Sequence, residues 1–311
     1  MKRILLGLVA TTMVLSASAR QDSDTTFKVD VKLVNVYVTV TDQQGAPIGN
    51  LTKKDFGLSE DGISQKIAVF SKESQLPLSI ILAIDTSSST RKDIRLELEA
   101  ARRFIHSMIR PQDAVALYTF DNDVNELAPF TSKLHLVDSA INQVRVGGAT
   151  SLYDAIYLGC KALMKREGRK VLVLITDGGD TSSTMDYKQA LRAAQMSEAL
   201  VYSLIDVPVE ASAGRNTGGE HALIQISNDT GGKYYYAANV AQLDKAFEQI
   251  SDELRTQYLL AYYPMERRAA SDFRQIDVIA HPHDSPEPKG SEEPDRLVVR
   301  ARRGYYTSKL E

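Results

Sequence analysis

The hydrophobic pattern of the chain changes period twice. Between Phe27 and Val40 apolar residues alternate, with Val29, Val31 and Leu33 in one phase and Val34, Val36, Val38 and Val40 in the other. This predicts a strand with a slip of one residue at Leu33–Val34, the mark of a bulge or of a strand serving two faces. Asp42 to Gly45 reads as a turn, and Ile48 to Gly57 as loop with Leu51 and Phe56 as core anchors. Phe56–Leu58 and Ile63–Phe70 read as two short strands joined by Glu60-Asp61-Gly62, a hairpin turn signal. Residues 71–77 are polar, end in Pro77 and read as a linker.

From Leu78 the chain alternates strand and helix, the signature of an α/β sheet. Strands are expected at Leu78–Ile84, Ala114–Phe120, Lys170–Ile175, Leu200–Ile205 and Lys233–Tyr236. The first helix, Lys92–Ile109, carries the stripe Ile94, Leu98, Ala101, Ile105 and Met108, with Pro111 beyond its end. Leu134, Val137 and Ile141 mark a short helix, and Leu152, Ala155, Ile156, Gly159 and Leu163 the face of another. Further helices are expected at Tyr187–Leu200, from His221 to Ser227, and at Val240–Arg255. Residues 206–219 are small and polar toward their end and read as a loop.

After Arg255 strand character returns at Gln257–Tyr263, Arg274–Ala280 and Leu297–Ala301, with a proline- and acid-rich turn at 281–296. Neither terminal β segment buries a sufficient core by itself. Residues 20–75 and 256–311 are therefore expected to join in one small, sandwich-like β domain, with an α/β domain at 76–255 inserted between them. Two independent β units are the rival arrangement.

Composition narrows the function. The 311 residues carry a net charge of -3, with no basic excess for a nucleic-acid partner. Lys2 and Arg3, the apolar run Ile4–Leu15 and Ser16-Ala17-Ser18-Ala19 form a signal peptide, residues 1–19, cleaved after Ala19. That implies a secreted or periplasmic protein. An uncleaved anchor is the alternative, although the run is short for a bilayer span. No other segment reads as a span. The lone cysteine, Cys160, permits no internal disulfide and lies on the apolar side of its helix with Ile156 and Leu163, as a buried, inert thiol does.

The candidate chemistry sits where apolar strands end. Leu78–Ile84 runs into Asp85, Ser87 and Ser89; the helix at Leu152 is preceded by Thr150; the strand ending at Ile175 runs into Asp177. In a parallel sheet the ends of the strands share one edge, where open α/β sheets bind ligands. Two carboxylates and three hydroxyls, with water, suit a hard divalent cation such as Mg2+. Singly, each residue reads better as a helix cap or turn former; together, at matching strand ends, they point to one purpose. An enzyme is not expected. His106 lies mid-helix, His135 opens a helix, His281 and His283 fall in the terminal β region, and only His221 follows a strand of the α/β segment. A serine triad needs a base beside its nucleophile, and neither a G-x-S-x-G elbow nor a P-loop occurs.

Asp85-Thr86-Ser87-Ser88-Ser89, Gly147-Gly148-Ala149-Thr150 and Thr176-Asp177-Gly178 resemble, in order, the ligand motifs of von Willebrand factor type A domains. The resemblance covers about residues 76–255. It implies a Rossmann-like, doubly wound, mostly parallel sheet and a metal-ion-dependent adhesion site (MIDAS). Asp85, Ser87, Ser89, Thr150 and Asp177 would be its ligands, with Mg2+ as the cation and Mn2+ or Ca2+ as alternatives. It further implies adhesion or scaffolding, with a partner protein's Asp or Glu carboxylate completing the coordination shell. In some members the last helix, here Val240–Arg255, shifts on binding. Val34–Phe70, including Thr52-x-x-Asp55-Phe56, and Val298–Tyr306 are similar to flanking segments of exported bacterial VWFA-related domain proteins of acidobacterial type. The alternative function is an envelope structural or assembly factor in which the cation only stabilises the fold. The 206–219 loop reads either as partner contact or as a passive surface excursion.

Overall fold

The computed structural model describes residues 33–72, 76–90, 94–206, 217–264, 272–281 and 297–308. The expected signal peptide at 1–19, the strand start at Phe27, the helix start at Lys92, residues 207–216 of the expected loop and nearly all of the 281–296 turn lie outside them.

The N-terminal strands are β1 (Val34–Thr41), β2 (Phe56–Glu60), β3 (Ile63–Ser64) and β4 (Ile67–Lys72). The alternating segment continues as β5 (Leu78–Asp85), α1 (Ile94–Met108), β6 (Ala114–Phe120), β7 (Val124–Thr131), α2 (Leu134–Ile141) and α3 (Leu152–Leu163). It goes on through β8 (Arg169–Thr176), α4 (Tyr187–Ser197), β9 (Leu200–Asp206), α5 (Thr217–Thr230), β10 (Lys233–Ala237) and α6 (Val240–Thr256). The C-terminal strands are β11 (Tyr258–Tyr262), β12 (Phe273–Ala280), β13 (Val298–Arg300) and β14 (Gly304–Tyr306).

A six-stranded sheet of order β10-β9-β8-β5-β6-β7 forms the middle of the α/β part. Its strands run parallel except β7, which pairs antiparallel with β6. Every residue of β5 is buried, because helices cover both faces, as a continuous apolar run predicts. Ile80, Leu82 and Ile84 pack with Phe104 and Ile105 of α1 and Phe247 and Ile250 of α6. Ile81 and Ala83 pack with Leu152, Ile156 and Cys160 of α3 and Ala193 of α4. From β5 the chain winds to β6 on one side; from β8, on the other side of β5, it winds away to β9. The carboxyl ends of β5 and β8 therefore flank the topological switch point, where such sheets leave a crevice.

The flanking strands form two four-stranded antiparallel sheets, β13-β1-β11-β4 and β14-β12-β2-β3. Strands from both ends of the chain share each sheet. Val34, Val36 and Val38 face Tyr262, Leu260 and Tyr258 across the β1–β11 ladder. These residues, with Leu58, Ile67 and Ile276, make the core between the sheets. The α/β part joins this sandwich at α6, which runs into β11 through the single residue Gln257. Glu253 of α6, almost wholly buried, pairs with Arg300 of β13 at 2.5 Å and accepts from Tyr202 at 3.2 Å and Tyr235 at 3.3 Å. Arg169 of β8 donates to the Leu254 carbonyl and, at 2.9 Å, to the Gln257 amide oxygen.

Several elements depart from the periodicity reading. β7 carries no clean alternation: it includes Pro129, and its register with β6 shifts twice, as suits an edge strand. The expected strand Ile63–Phe70 is two, because the chain crosses from one sheet to the other, β3 pairing with β2 and β4 with β11. α4 stops at Ser197, three residues early, where Glu198 takes a left-handed φ of 59°. α5 begins at Thr217, so the end of the expected 206–219 loop is helical. β14 follows the last expected strand and pairs with β12.

Candidate metal centre

β5 and β8 run side by side, with Ile84 opposite Ile175, so Asp85 and Thr176 emerge together. Thr176 Oγ1 donates to Asp85 Oδ2 at 2.6 Å, and the Ser87 amide donates to Asp85 Oδ1 at 2.9 Å. The Asp85 side chain has no exposed surface. Burial pushes its pKa up to about 6; the hydrogen bonds from Thr176 and Ser87 pull it down, and the nearby charge of Asp177 pushes it further up. Among the described residues no basic side chain pairs with either carboxylate.

The Asp85 loop is closed by its own hydroxyls. Thr90 Oγ1 donates to the Ser87 carbonyl at 3.0 Å, while Ser87 Oγ and Ser89 Oγ stand 2.9 Å apart. The loop before α3 is tied directly to it. The Gly147 amide donates to the Thr86 carbonyl at 2.7 Å, and the Ser88 amide to the Gly148 carbonyl at 3.1 Å. Gly147 must be a glycine here, since a Cβ would lie 1.8 Å from Asp121 Oδ2. Asn122 holds the same loop, accepting from the Ala149 amide at 2.9 Å and, through its carbonyl, from Ser151 Oγ at 2.7 Å.

Thr150 is delivered by this loop and is buried. Its amide donates to Thr181 Oγ1 at 2.9 Å, and its carbonyl accepts from the Thr181 and Ser182 amides. Its backbone is thus saturated, and its hydroxyl makes no hydrogen bond among the described residues. Asp177 follows β8 and is half-buried. The Gly179 amide donates to Asp177 Oδ1 at 3.2 Å, and the Gly178 amide to Thr176 Oγ1 at 3.1 Å.

Asp85, Ser87 and Ser89 therefore share one loop, Thr150 lies on a loop bonded to it, and Asp177 stands within charge range of Asp85. No hydrogen bond joins the Thr150 or Asp177 side chains to the other three among the described residues. The sequence marks Asp121 and Asn122 as a turn and Thr176 as part of the Thr176-Asp177-Gly178 motif without assigning them a holding role, and does not single out Thr181 and Ser182. Their signal is position alone, each lying at a strand end or within six residues of one on the same sheet edge.

This donor set fits a hard cation. A buried carboxylate beside a second one is costly unless paired or neutralised, and the free hydroxyls are oxygen donors of the kind Mg2+ and Ca2+ accept. No three His, Cys, Asp or Glu cluster as metal ligands among the described residues, so hydroxyls and water would supply the rest of a shell. Cys160 takes no part: it is fully buried, with its thiol pushed up to about 12 by that burial.

A doubly wound sheet with a hydroxyl- and carboxylate-lined crevice at its switch point defines the class. More particularly, residues 80–179 match the von Willebrand factor type A domain family. Comparison with curated proteins gives no match. Among solved structures, a von Willebrand factor type A protein from Catenulispora acidiphila superposes with a TM-score of 0.51 at 11% identity, over 83% of this chain and 72% of that one. The conserved hypothetical protein BatB from Bacteroides thetaiotaomicron gives 0.46 at 19% identity, over 58% of this chain and 100% of that one. The vWF domain of the type V pili tip protein Mfa5 from Porphyromonas gingivalis gives 0.48 at 13% identity, over 57% and 95%.

Proposed function

We propose that this is an exported protein-binding module whose grip on its partner depends on a divalent cation, with no catalytic chemistry of its own. The observation that carries the reading is the pairing of buried Asp85 with nearby Asp177, without a basic partner, at the edge where Ser87, Ser89 and Thr150 are gathered. Asp85, Ser87, Ser89, Thr150 and Asp177 would hold Mg2+, with Mn2+ or Ca2+ as substitutes. A bound cation supplies an open coordination position for a partner's Asp or Glu carboxylate. Ser88, Ser89, Asn122 and Gly148 are exposed around the crevice and would form the surrounding contact surface. Export is supported by the sequence of residues 1–19. Among the described residues no helix is long and apolar enough to cross a membrane.

Partner capture from a native envelope extract tests the reading. Proteins retained by the wild type in Mg2+ are expected to be released by EDTA and absent from an Asp85→Ala bait. Retention unaffected by both treatments contradicts it and favours the assembly-factor alternative, in which the cation acts on the fold alone.

A further inference from the structure

The first turn of α5 lies against the loop that carries Asp177. We propose that Gly219 is a positioning residue for Asp177, an inference that rests on the metal-site reading above. A Cβ on Gly219 would fall 1.6 Å from the Gly178 carbonyl oxygen, 2.8 Å from its carbon and 3.6 Å from the Gly179 nitrogen. From the other side, a Cβ on Gly178 would stand 3.4 Å from the Glu220 nitrogen. Two backbones are therefore in direct contact, and a side chain on Gly219 has no room there.

The contact falls on one particular peptide plane. The Gly178 carbonyl and the Gly179 amide belong to the same rigid unit. Its oxygen end meets Gly219, and its N–H end donates to Asp177 Oδ1 at 3.2 Å. Pressure on the carbonyl therefore tilts the amide that orients the carboxylate. Gly178 has a φ of +88°, a left-handed conformation that glycine adopts at little steric cost. The obstacle at Gly147 is different in kind, being the Asp121 side chain and not a backbone.

α5 has little freedom to retreat. Leu223 and Ile226 are fully buried in the core on that side of the sheet. Ser227 Oγ and Ser203 Oγ of β9 are 3.0 Å apart, and Tyr236 of β10 donates to Glu220 in the first turn. An added methyl at position 219 must therefore displace the 177–179 loop. Elsewhere in a helix the same change normally stabilises.

Magnesium demands near-octahedral geometry, whereas calcium tolerates irregular shells. A displaced Asp177 thus weakens Mg2+ more than Ca2+, a signature that a general loss of packing does not produce. Calorimetric titration of Gly219→Ala, with folding checked by circular dichroism, is expected to show Mg2+ affinity reduced about tenfold or more, in the range seen when a group orienting a metal ligand is removed. Ca2+ affinity is expected to fall by a clearly smaller factor, and Gly218→Ala, at an exposed position, to match the wild type. Unchanged Mg2+ affinity in a folded Gly219→Ala, or equal losses for both cations, overturns the proposal.

If Gly219→Ala does not fold, hydrogen exchange on the wild type decides. Mg2+ is expected to protect the amides of residues 178–179 and 219–221 together; protection confined to 178–179 overturns the proposal. A wild-type protein that binds no Mg2+ removes the metal reading itself and this proposal with it. That result is visible before any variant is made.

Discussion

Asp85 concentrates the electrostatics of the site in one carboxyl group. Its pKa is raised from 3.8 to about 6 in the folded protein, chiefly by burial. A raised folded pKa contributes stability that is fully present below the unfolded value and lost as pH rises through the folded one. In metal-free protein this group therefore becomes unfavourable between about pH 4 and pH 6, by on the order of 3 kcal/mol. Asp85→Asn is expected to be more stable than metal-free wild type at pH 7.5, and that advantage to vanish near pH 4, as read by chemical denaturation. An advantage that does not change with pH contradicts the burial argument. Because a cation must displace the proton, Mg2+ affinity is expected to weaken below about pH 6. Thr176 acts through Asp85: Thr176→Val removes the 2.6 Å donor and is expected to lower Mg2+ affinity by about 10-fold or more, with unchanged affinity speaking against that role. Asp85, Ser87, Ser89 and Asp177 were legible because they stand at or just past the end of an apolar strand, and Thr150 because it follows Gly147-Gly148 in the loop before α3. The holding roles of Thr176, Asn122 and Thr181 were not, since a hydrogen bond between segments distant in sequence leaves no trace in periodicity.

Helix α6 is the element that links the crevice-bearing sheet to the sandwich. It packs on α1 through stacked Phe104 and Phe247, with centroids 4.5 Å apart. Its C-terminal turn is held by Arg169 and by the Glu253–Arg300 pair. Removing Arg300 takes from buried Glu253 its close ionic partner and leaves it Lys233 at 3.7 Å. Arg300→Ala is accordingly expected to cost about 3 kcal/mol in denaturant-measured stability, and a loss below 1 kcal/mol contradicts the burial of this pair. The stripes of α1 and α6 were readable because their core faces are apolar and their outer faces are not. β7 and β14 were not readable: one is an irregular edge strand with Pro129, the other only three residues long. β11 misleads in a different way. It was expected to alternate, yet YLLAY is a continuous apolar run and all five residues are buried, as fits one of the two inner strands of its sheet.

At the scale of the molecule, the sandwich is closed by pairing across the full length of the described chain, β1 with β11 and β2 with β12. Buried polar bonds such as Gln257 to Thr39, at 3.3 Å, join it to the α/β part. Cooperative unfolding is the expected consequence: thermal denaturation followed by far-UV and near-UV signals should give one coincident transition, and two separated transitions would show that the parts unfold independently. The α/β class was evident in the strand–helix alternation, whereas the crossing of the chain from β3 to β4 between two sheets follows from tertiary pairing alone.

The central claim is that Asp85, Ser87, Ser89, Thr150 and Asp177 bind a divalent cation. Titration of Mg2+ into EDTA-treated, dialysed protein by calorimetry at pH 7.5 tests it most directly. The expected result is one site per chain in the wild type and no measurable binding in Asp85→Ala. No binding to the wild type, or equal affinity in the variant, would contradict it.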